Sequence, residues 1–499
     1  MVHMQYTRTP DSCRCPVAPH VPCMALPASN PCEPDGMTTT NNEGQYTMEL
    51  TKQDLSQMAE AYKKDAAQQI AEQAVKNNGI HASSEREHVV VTENNFVFSV
   101  DVDSEAVANQ RQSGRCWMFS ALNFLRFHME KSLKLPKGSF QLSQNYNFFY
   151  DKLEKSNFFM ENIIKYAGSD LNDRRVDFLL ATPQQDGGDF DPICALIEKY
   201  GVVPLEAMPD TAVTKNTSEF NAVLNRVLRE DAFKLRKLVR EGKSEKEVDD
   251  ARRAMLSEIY RILCVSFGEP PKTVDFEYRD TDKKYHADRG LTPLEFYKKY
   301  LGDVKLEDYV GVMNLPVEGM EYGKMYTIDM TGEVLGSKRK LHYVNVPIDV
   351  MKEATIKQLK AGEPVWFGCD VLQDSDFVKG ILSLNLYDVQ KMFGIKFDMD
   401  KGERFQYNQS LPTHAMTMAG VDLDADGKPI RWKVENSWGT TAHGKPVGHQ
   451  GYFIMDDSWF DQYMYEVAVR KEYLPEEYQK ALETEPEVLP YWNTFNPEP

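Results

Sequence analysis

Gln110-Arg111-Gln112-Ser113-Gly114-Arg115-Cys116-Trp117-Met118-Phe119-Ser120 is the stretch from which the rest of this chain is best read. Gly114 permits a tight turn and a close backbone approach. Beyond it, Met118, Leu122, Leu125 and Met129 recur at steps of four, three and four, the spacing of one helical face. Cys116 therefore falls at a helix start. There, unpaired N–H groups and the positive end of the helix dipole favour an anion. A thiol in that position ionises more readily, and the thiolate is the nucleophilic form. Gln110 lies six residues upstream. From that offset its side-chain amide folds back beside the Cys116 backbone N–H, as a second donor to an oxyanion. A lone cysteine in a helix is usually an inert core thiol, so this reading needs partners elsewhere in the chain.

Residues 413–439 supply them. Thr413 to Val421 predicts a strand, Asp424-Ala425-Asp426-Gly427 a turn, and Ile430 to Asn436 a second strand. A turn centred on Ala425 sets His414 and Asn436 opposite each other, or within one residue of opposite, at the open end of a hairpin. Their side chains then share a face. An Asn amide oxygen accepts from one imidazole N–H, which fixes the tautomer and aims the other ring nitrogen at a thiol. Trp438, two residues beyond Asn436, is expected to cover that bond from water. Met416, Met418 and Trp432 are expected in the core.

The stretch around Cys116 resembles the active-site signature of papain-like cysteine peptidases. Its Ser-Gly-Arg-Cys-Trp form with Gln110 upstream is similar to the bleomycin hydrolase / aminopeptidase C branch. Blocks similar to that branch follow in family order. They include Ser143-Gln144-Asn145-Tyr146, Asp186-Gly187-Gly188, Gly268-Glu269-Pro270-Pro271 and Tyr278-Arg279-Asp280. Further on come Val365 to Asp370, Thr413-His414-Ala415-Met416, Glu435-Asn436-Ser437-Trp438-Gly439 and Glu485 to Pro490.

The resemblance implies an α+β, papain-like peptidase fold. A helical half carries Cys116 and a β-rich half carries His414 and Asn436. It implies Cys116 as nucleophile forming a thioester, His414 as base and then acid, Asn436 as orienter and Gln110 as oxyanion donor. It also implies substrate contact at Gly187 and Gly188, no metal or organic cofactor, and a homo-hexameric ring. The expected activity is removal of N-terminal residues from peptides with a free N-terminus. An endopeptidase of the same fold and a catalytically dead scaffold are the alternatives.

Composition sets bounds. The 499 residues carry 41% hydrophobic and 27% charged residues, and a formal net charge of −18. That acidity argues against nucleic-acid binding, which needs a basic footprint. No apolar run is long enough for a transmembrane helix. Of eight cysteines, Cys13, Cys15, Cys23 and Cys32 cluster near the start, while Cys116, Cys194, Cys264 and Cys369 are dispersed. Dispersal points to a reducing compartment, the cytoplasm. The four N-terminal cysteines lack paired metal-ligand spacing.

Along the chain, residues 1–45 are rich in Pro, Asn and Thr and read as a disordered extension. Residues 46–214 form an N-terminal arm and the helical half. Thr51 with Asp54 predicts a capped helix carrying Leu55, Met58, Ala59 and Tyr62 on one face. Val89-Val90-Val91 and Phe96-Val97-Phe98 read as short strands. Residues 215–300 read as a helical insertion with dense charge, implied by the resemblance to hold subunits together. Residues 301–485 form the β-rich half. Residues 486–499 form a C-terminal arm whose prolines predict an extended tail. The resemblance implies that this arm enters the cleft, where a carboxylate from Pro499 or Glu498 would hold a substrate α-ammonium.

Overall fold

A computed structural model describes residues 50–102, 107–331, 334–442 and 444–496. The four N-terminal cysteines and Pro499 lie outside the described residues. Two compact units emerge: residues 87–386 with 398–499, and, in its described part, residues 50–86 with 387–397.

The smaller unit is helical. Thr51 caps the Lys52–Lys64 helix reciprocally, since its hydroxyl accepts from the Asp54 N–H at 3.2 Å while Asp54 accepts from the Thr51 N–H at 2.9 Å. The stripe expected there is not buried: Leu55 and Met58 are exposed. Helices Ala66–Asn78 and Ile80–Ser84 follow. Gln68 Nε2 donates to the Met392 carbonyl at 3.1 Å, and His81 stacks on Tyr387.

In the larger unit a twelve-stranded sheet carries helices on both faces. Its centre is the run Met464–Arg470, Val365–Cys369, His414–Leu423, Pro429–Glu435 and Tyr452–Asp456, all antiparallel neighbours. Side chains alternate across a strand, and the two cores follow that alternation. Trp366, Ala415 and Ala468 face one way and join the helical core of Cys116–Ser132, Gln144–Lys165 and Phe190–Tyr200. Val365, Phe367, Met416 and Met418 face the other way, onto the Ile348–Lys360 helix.

Residues 215–300 contain two 23-residue helices, Ser218–Arg240 and Glu245–Phe267, and then a hairpin of Val274–Arg279 with Tyr285–Leu291. On the first helix Phe220, Leu224 and Leu228 are buried, while Val223 is exposed.

Two local expectations are overturned. Residues 89–91 belong to a helix, Glu87–Glu93, not a strand, and Phe96–Phe98 pairs with no strand. Burial of Val89 and Val90 against the unit outweighs the β-preference of valine. Nor is the chain extended over residues 490–496. After an edge strand, Glu487–Leu489, residues 490–496 fold into turns closed by Asn493 N–H to Pro490 O at 2.8 Å and Asn496 N–H to Asn493 O at 2.9 Å. Asn496 Nδ2 also donates to the Tyr491 carbonyl at 2.7 Å. Buried Tyr491 and Phe495 anchor these turns, so packing and Asn side chains win over proline's preference for an extended tail.

Candidate active site

Cys116 is the first residue of a 17-residue helix and is half-buried. Arg115 stands at the N-cap position but gives no side-chain cap. Its buried guanidinium turns away instead, to Asp210 at 2.8 Å and the Thr214 carbonyl at 2.7 Å. The helix start is therefore left without a side-chain acceptor, and its first-turn N–H groups favour an anion.

The loop before the helix is clamped by the Gln184–Asp189 loop, and Asp186 is the hub. It accepts from the Gly114 N–H at 3.0 Å, Thr217 Oγ1 at 2.5 Å and Asn221 Nδ2 at 2.8 Å, and pairs with buried Lys152 at 2.7 Å. Burial raises a carboxyl, but Lys152 and these donors outweigh it and hold Asp186 well below the usual carboxylate range. A side chain at Gly114 would collide with Asp186, with its Cβ only 2.7 Å away. Trp117 Nε1 donates to the Asp186 carbonyl at 2.8 Å, and Gly188 lies flat on the Trp117 ring, where any Cβ would come within 2.6 Å. Gly187 differs from Gly188. Its N–H goes to Gln185 Oε1 at 2.6 Å and its carbonyl accepts from Lys155 on the Gln144–Lys165 helix, so both its backbone groups already have partners.

His414 opens its strand and is only 6% exposed. Its Nε2 lies 2.9 Å from Asn436 Oδ1, which also accepts from the Ser437 N–H at 2.7 Å. An acceptor on Nε2 places the proton there and leaves Nδ1 as the basic nitrogen. Trp438 covers the imidazole with ring centroids 4.8 Å apart. Burial pushes His414 down to about 4, with the Asn436 bond opposing it.

The expected opposite pairing of these two residues is corrected. Asp424 and Lys428 close the turn at 2.9 Å, so it is centred on Asp426, not Ala425. Thr417 then pairs with Glu435 and Met418 with Val434. Asn436 is thus level with Met416, two residues along from His414. A shift of two preserves the face, and a diagonal neighbour remains within side-chain reach.

Helix and strand meet directly. Ser120, one turn beyond Cys116, donates to the Met416 carbonyl at 2.6 Å and lies 3.0 Å from Thr417 Oγ1. Cys369, the cross-strand partner of His414, has its thiol pushed well up by burial, and further by Asp370 and by the nearby Cys116 thiol. Buried Arg126 and Glu435 form a 2.7 Å ion pair between the same helix and the Asn436 strand.

Gln110 is buried, and it joins the two sides. Its Nε2 donates to the Ser113 carbonyl at 2.7 Å, and its Oε1 accepts from Ser437 Oγ at 2.6 Å. A primary amide carries two N–H groups, so one donor remains beyond the Ser113 bond. Arg111 beside it holds φ of +57°, a strained conformation for a non-glycine residue. Ser437, Asp186 and the Arg115–Asp210 pair were not singled out from the sequence. Asp186, Ser437 and Arg115 stand inside the motif blocks quoted above with no role given to them, and no sequence signal points to Asp210. No group of three or more potential metal ligands occurs among the described residues.

The assembled groups suit acyl transfer: a thiol at an uncapped helix start, an oriented imidazole and a spare amide donor. Comparison with known proteins agrees. The Peptidase C1-like family profile matches residues 49–496. An aminopeptidase C from Streptococcus thermophilus is 47% identical over 87% of this chain and 95% of its own length. One from Listeria innocua is 41% identical over 89% of this chain and 98% of its own. The crystal structure of PepW from Lactobacillus rhamnosis HN001 superposes with a TM-score of 0.87 at 47% identity, covering 91% of this chain and all of that one. The chain therefore belongs to the Peptidase C1-like family, with the aminopeptidase C and bleomycin hydrolase-like enzymes.

Proposed function

We infer that this chain is a cysteine-type aminopeptidase that removes N-terminal residues from peptides through a thioester. The observation that carries the reading is the Asn436–His414 bond beneath Trp438, on a strand packed against the Cys116 helix. In the proposed mechanism His414 Nδ1 takes the Cys116 proton, and the thiolate attacks the scissile carbonyl carbon. The Cys116 N–H and the second Gln110 amide N–H stabilise the oxyanion. Collapse expels the amine, protonated by His414, and water attacks the thioester by the same path. Gly188, rather than Gly187, offers backbone to the substrate.

Exopeptidase action is attributed to the C-terminal arm. Supporting this, Tyr491 packs on Phe178, ahead of the Gly188 loop, and Phe495 meets Tyr343, which donates to Asp189 directly after Gly188. Pro499 and Glu498 are proposed to present a carboxylate to the substrate amine. Deleting residues 496–499 should raise cleavage of N-blocked fluorogenic peptides and lower cleavage of free-amine aminoacyl substrates. Unchanged rates on both, with N-blocked peptides already cleaved well by the full chain, would replace this reading with an endopeptidase.

A homo-hexamer is proposed as the working assembly, and exposed Val223, Phe233 and Val265 on the two long helices suit subunit contact. Sedimentation as a monomer at micromolar concentration would contradict it. A cytoplasmic location is proposed from the dispersed free thiols.

A further inference from the structure

The sequence block from Val365 to Asp370 ends on a residue that the mechanism above does not use. Asp370 is 1% exposed and directly follows Cys369, the cross-strand partner of His414. Both of its carboxylate oxygens take bonds from the segment that leads into the His414 strand. Oδ1 accepts from Thr413 Oγ1 at 3.1 Å, and Oδ2 accepts from Ser410 Oγ at 2.8 Å. The Leu372 N–H at 3.4 Å and Gln373 Nε2 at 3.0 Å hold the carboxylate from its own side. The Tyr465 hydroxyl donates to Ser410 Oγ at 2.7 Å, which commits the Ser410 proton to Asp370.

This arrangement needs an acid. Burying a carboxylate is costly, and burial pushes Asp370 up, with Ser410, Gln373 and Thr413 opposing it. An amide would fill the same space at lower cost. It has only one acceptor oxygen, however, so its NH₂ would face one of the two hydroxyl donors. A carboxylate accepts on both oxygens and so holds both ends of Ser410-Leu411-Pro412-Thr413 at once. Pro412 has no N–H with which to anchor that segment. The Thr413 N–H bond to the Cys369 carbonyl, at 2.9 Å, then starts the strand pairing. The next residue is His414, whose imidazole reaches Asn436 from there.

We propose that Asp370 is a positioning residue for the base: it fixes residues 410–413, and through them the place from which the His414 imidazole meets Asn436 and Cys116. The inference rests on the cysteine-peptidase reading and deepens it. Asp370 is enclosed and acts through His414, so its loss lowers turnover by misalignment and leaves substrate affinity alone.

The test measures kcat and KM for leucyl-coumarylamide beside the pH profile of Cys116 alkylation by iodoacetamide, followed at the Cys116 peptide by mass spectrometry. In Asp370→Asn kcat should fall by about ten- to a hundredfold, the scale of loss when a reacting group is displaced by about an ångström. KM should stay nearly unchanged. The alkylation midpoint should move up towards about 8.5, the value of an unpaired thiol. Thr413→Val removes one hydroxyl, should act in the same direction on both readouts, and serves if Asp370→Asn does not fold. Thr413→Ser keeps the hydroxyl and should restore both. A lowered melting temperature with wild-type kcat and a wild-type alkylation profile would overturn the inference and leave Asp370 a stabilising role only. So would a loss carried by KM, or equal losses in Thr413→Ser and Thr413→Val. Wild-type enzyme that stays active after complete alkylation of Cys116 would count instead against the cysteine-peptidase reading itself.

Discussion

The two ends of the proposed catalytic pair stand in opposite surroundings. Cys116 is half-buried at an uncapped helix start, tied down by polar bonds to Asp186 and Asp210 through its neighbours. His414 is enclosed beneath Trp438, and burial pushes it down to about 4. The first setting favours a negative thiolate, while the second disfavours a positive imidazolium. The environment alone therefore does not charge the histidine. The thiolate must do it, so the ion pair forms as a unit or not at all.

The largest effect that could break this contrast is loss of the thiol. Cys116→Ala should lower aminoacyl-coumarylamide hydrolysis by more than about a thousandfold with the melting temperature nearly unchanged. Residual activity above that level would assign the nucleophile elsewhere. Cys194, Cys264 and Cys369 should each tolerate Ala with far smaller kinetic effect. His414→Ala should come next. Asn436→Ala should cost less, because an unaligned imidazole still accepts a proton, and the reverse order would show that the Asn–His bond does more than orient. Gln110→Ala should lower kcat by about 10²–10³, the loss for one oxyanion donor. Equal activity would leave Gln110 only its structural tie to Ser437.

A titration measures the contrast itself. In Cys116→Ala, histidine NMR should find His414 neutral down to about pH 4. In wild type the thiolate should hold it protonated to higher pH. Equal titration in the two proteins would mean that the thiol and imidazole are not coupled. The smallest expected effect is that of Trp438→Ala. It admits water to the His414–Asn436 bond, moves the imidazole towards its ordinary value near 6.5 and lowers kcat by a few-fold, since alignment weakens without loss of either group.

The Cys116 end was far more legible in sequence than the histidine end. A turn residue, a four-three-four apolar repeat and a fixed upstream offset are local, and they placed the helix start correctly. For the hairpin, the residues and their shared face were legible, but the register was not. Asp424 side-chain bonds to the Asp426 and Lys428 N–H groups enlarge the turn and shift pairing by two. The contacts least visible beforehand join distant segments, such as Gln110 with Ser437 and Lys152 with Asp186. Nothing in local spacing announces them. Val89 and the turns after Pro490 were misread for a related reason: burial against a surface built elsewhere overrode backbone preference.

The Ser120–Met416 contact also bears on how the molecule is made. About 300 residues separate Cys116 from His414. At about 5–20 residues per second, a ribosome takes roughly a quarter of a minute to a minute to travel between them. Through that interval the nascent chain holds the proposed nucleophile without its proposed base. Peptidase activity therefore cannot arise before the hairpin has been synthesised and has docked, so unfinished copies on the same message are not exposed to hydrolysis by their own leading ends.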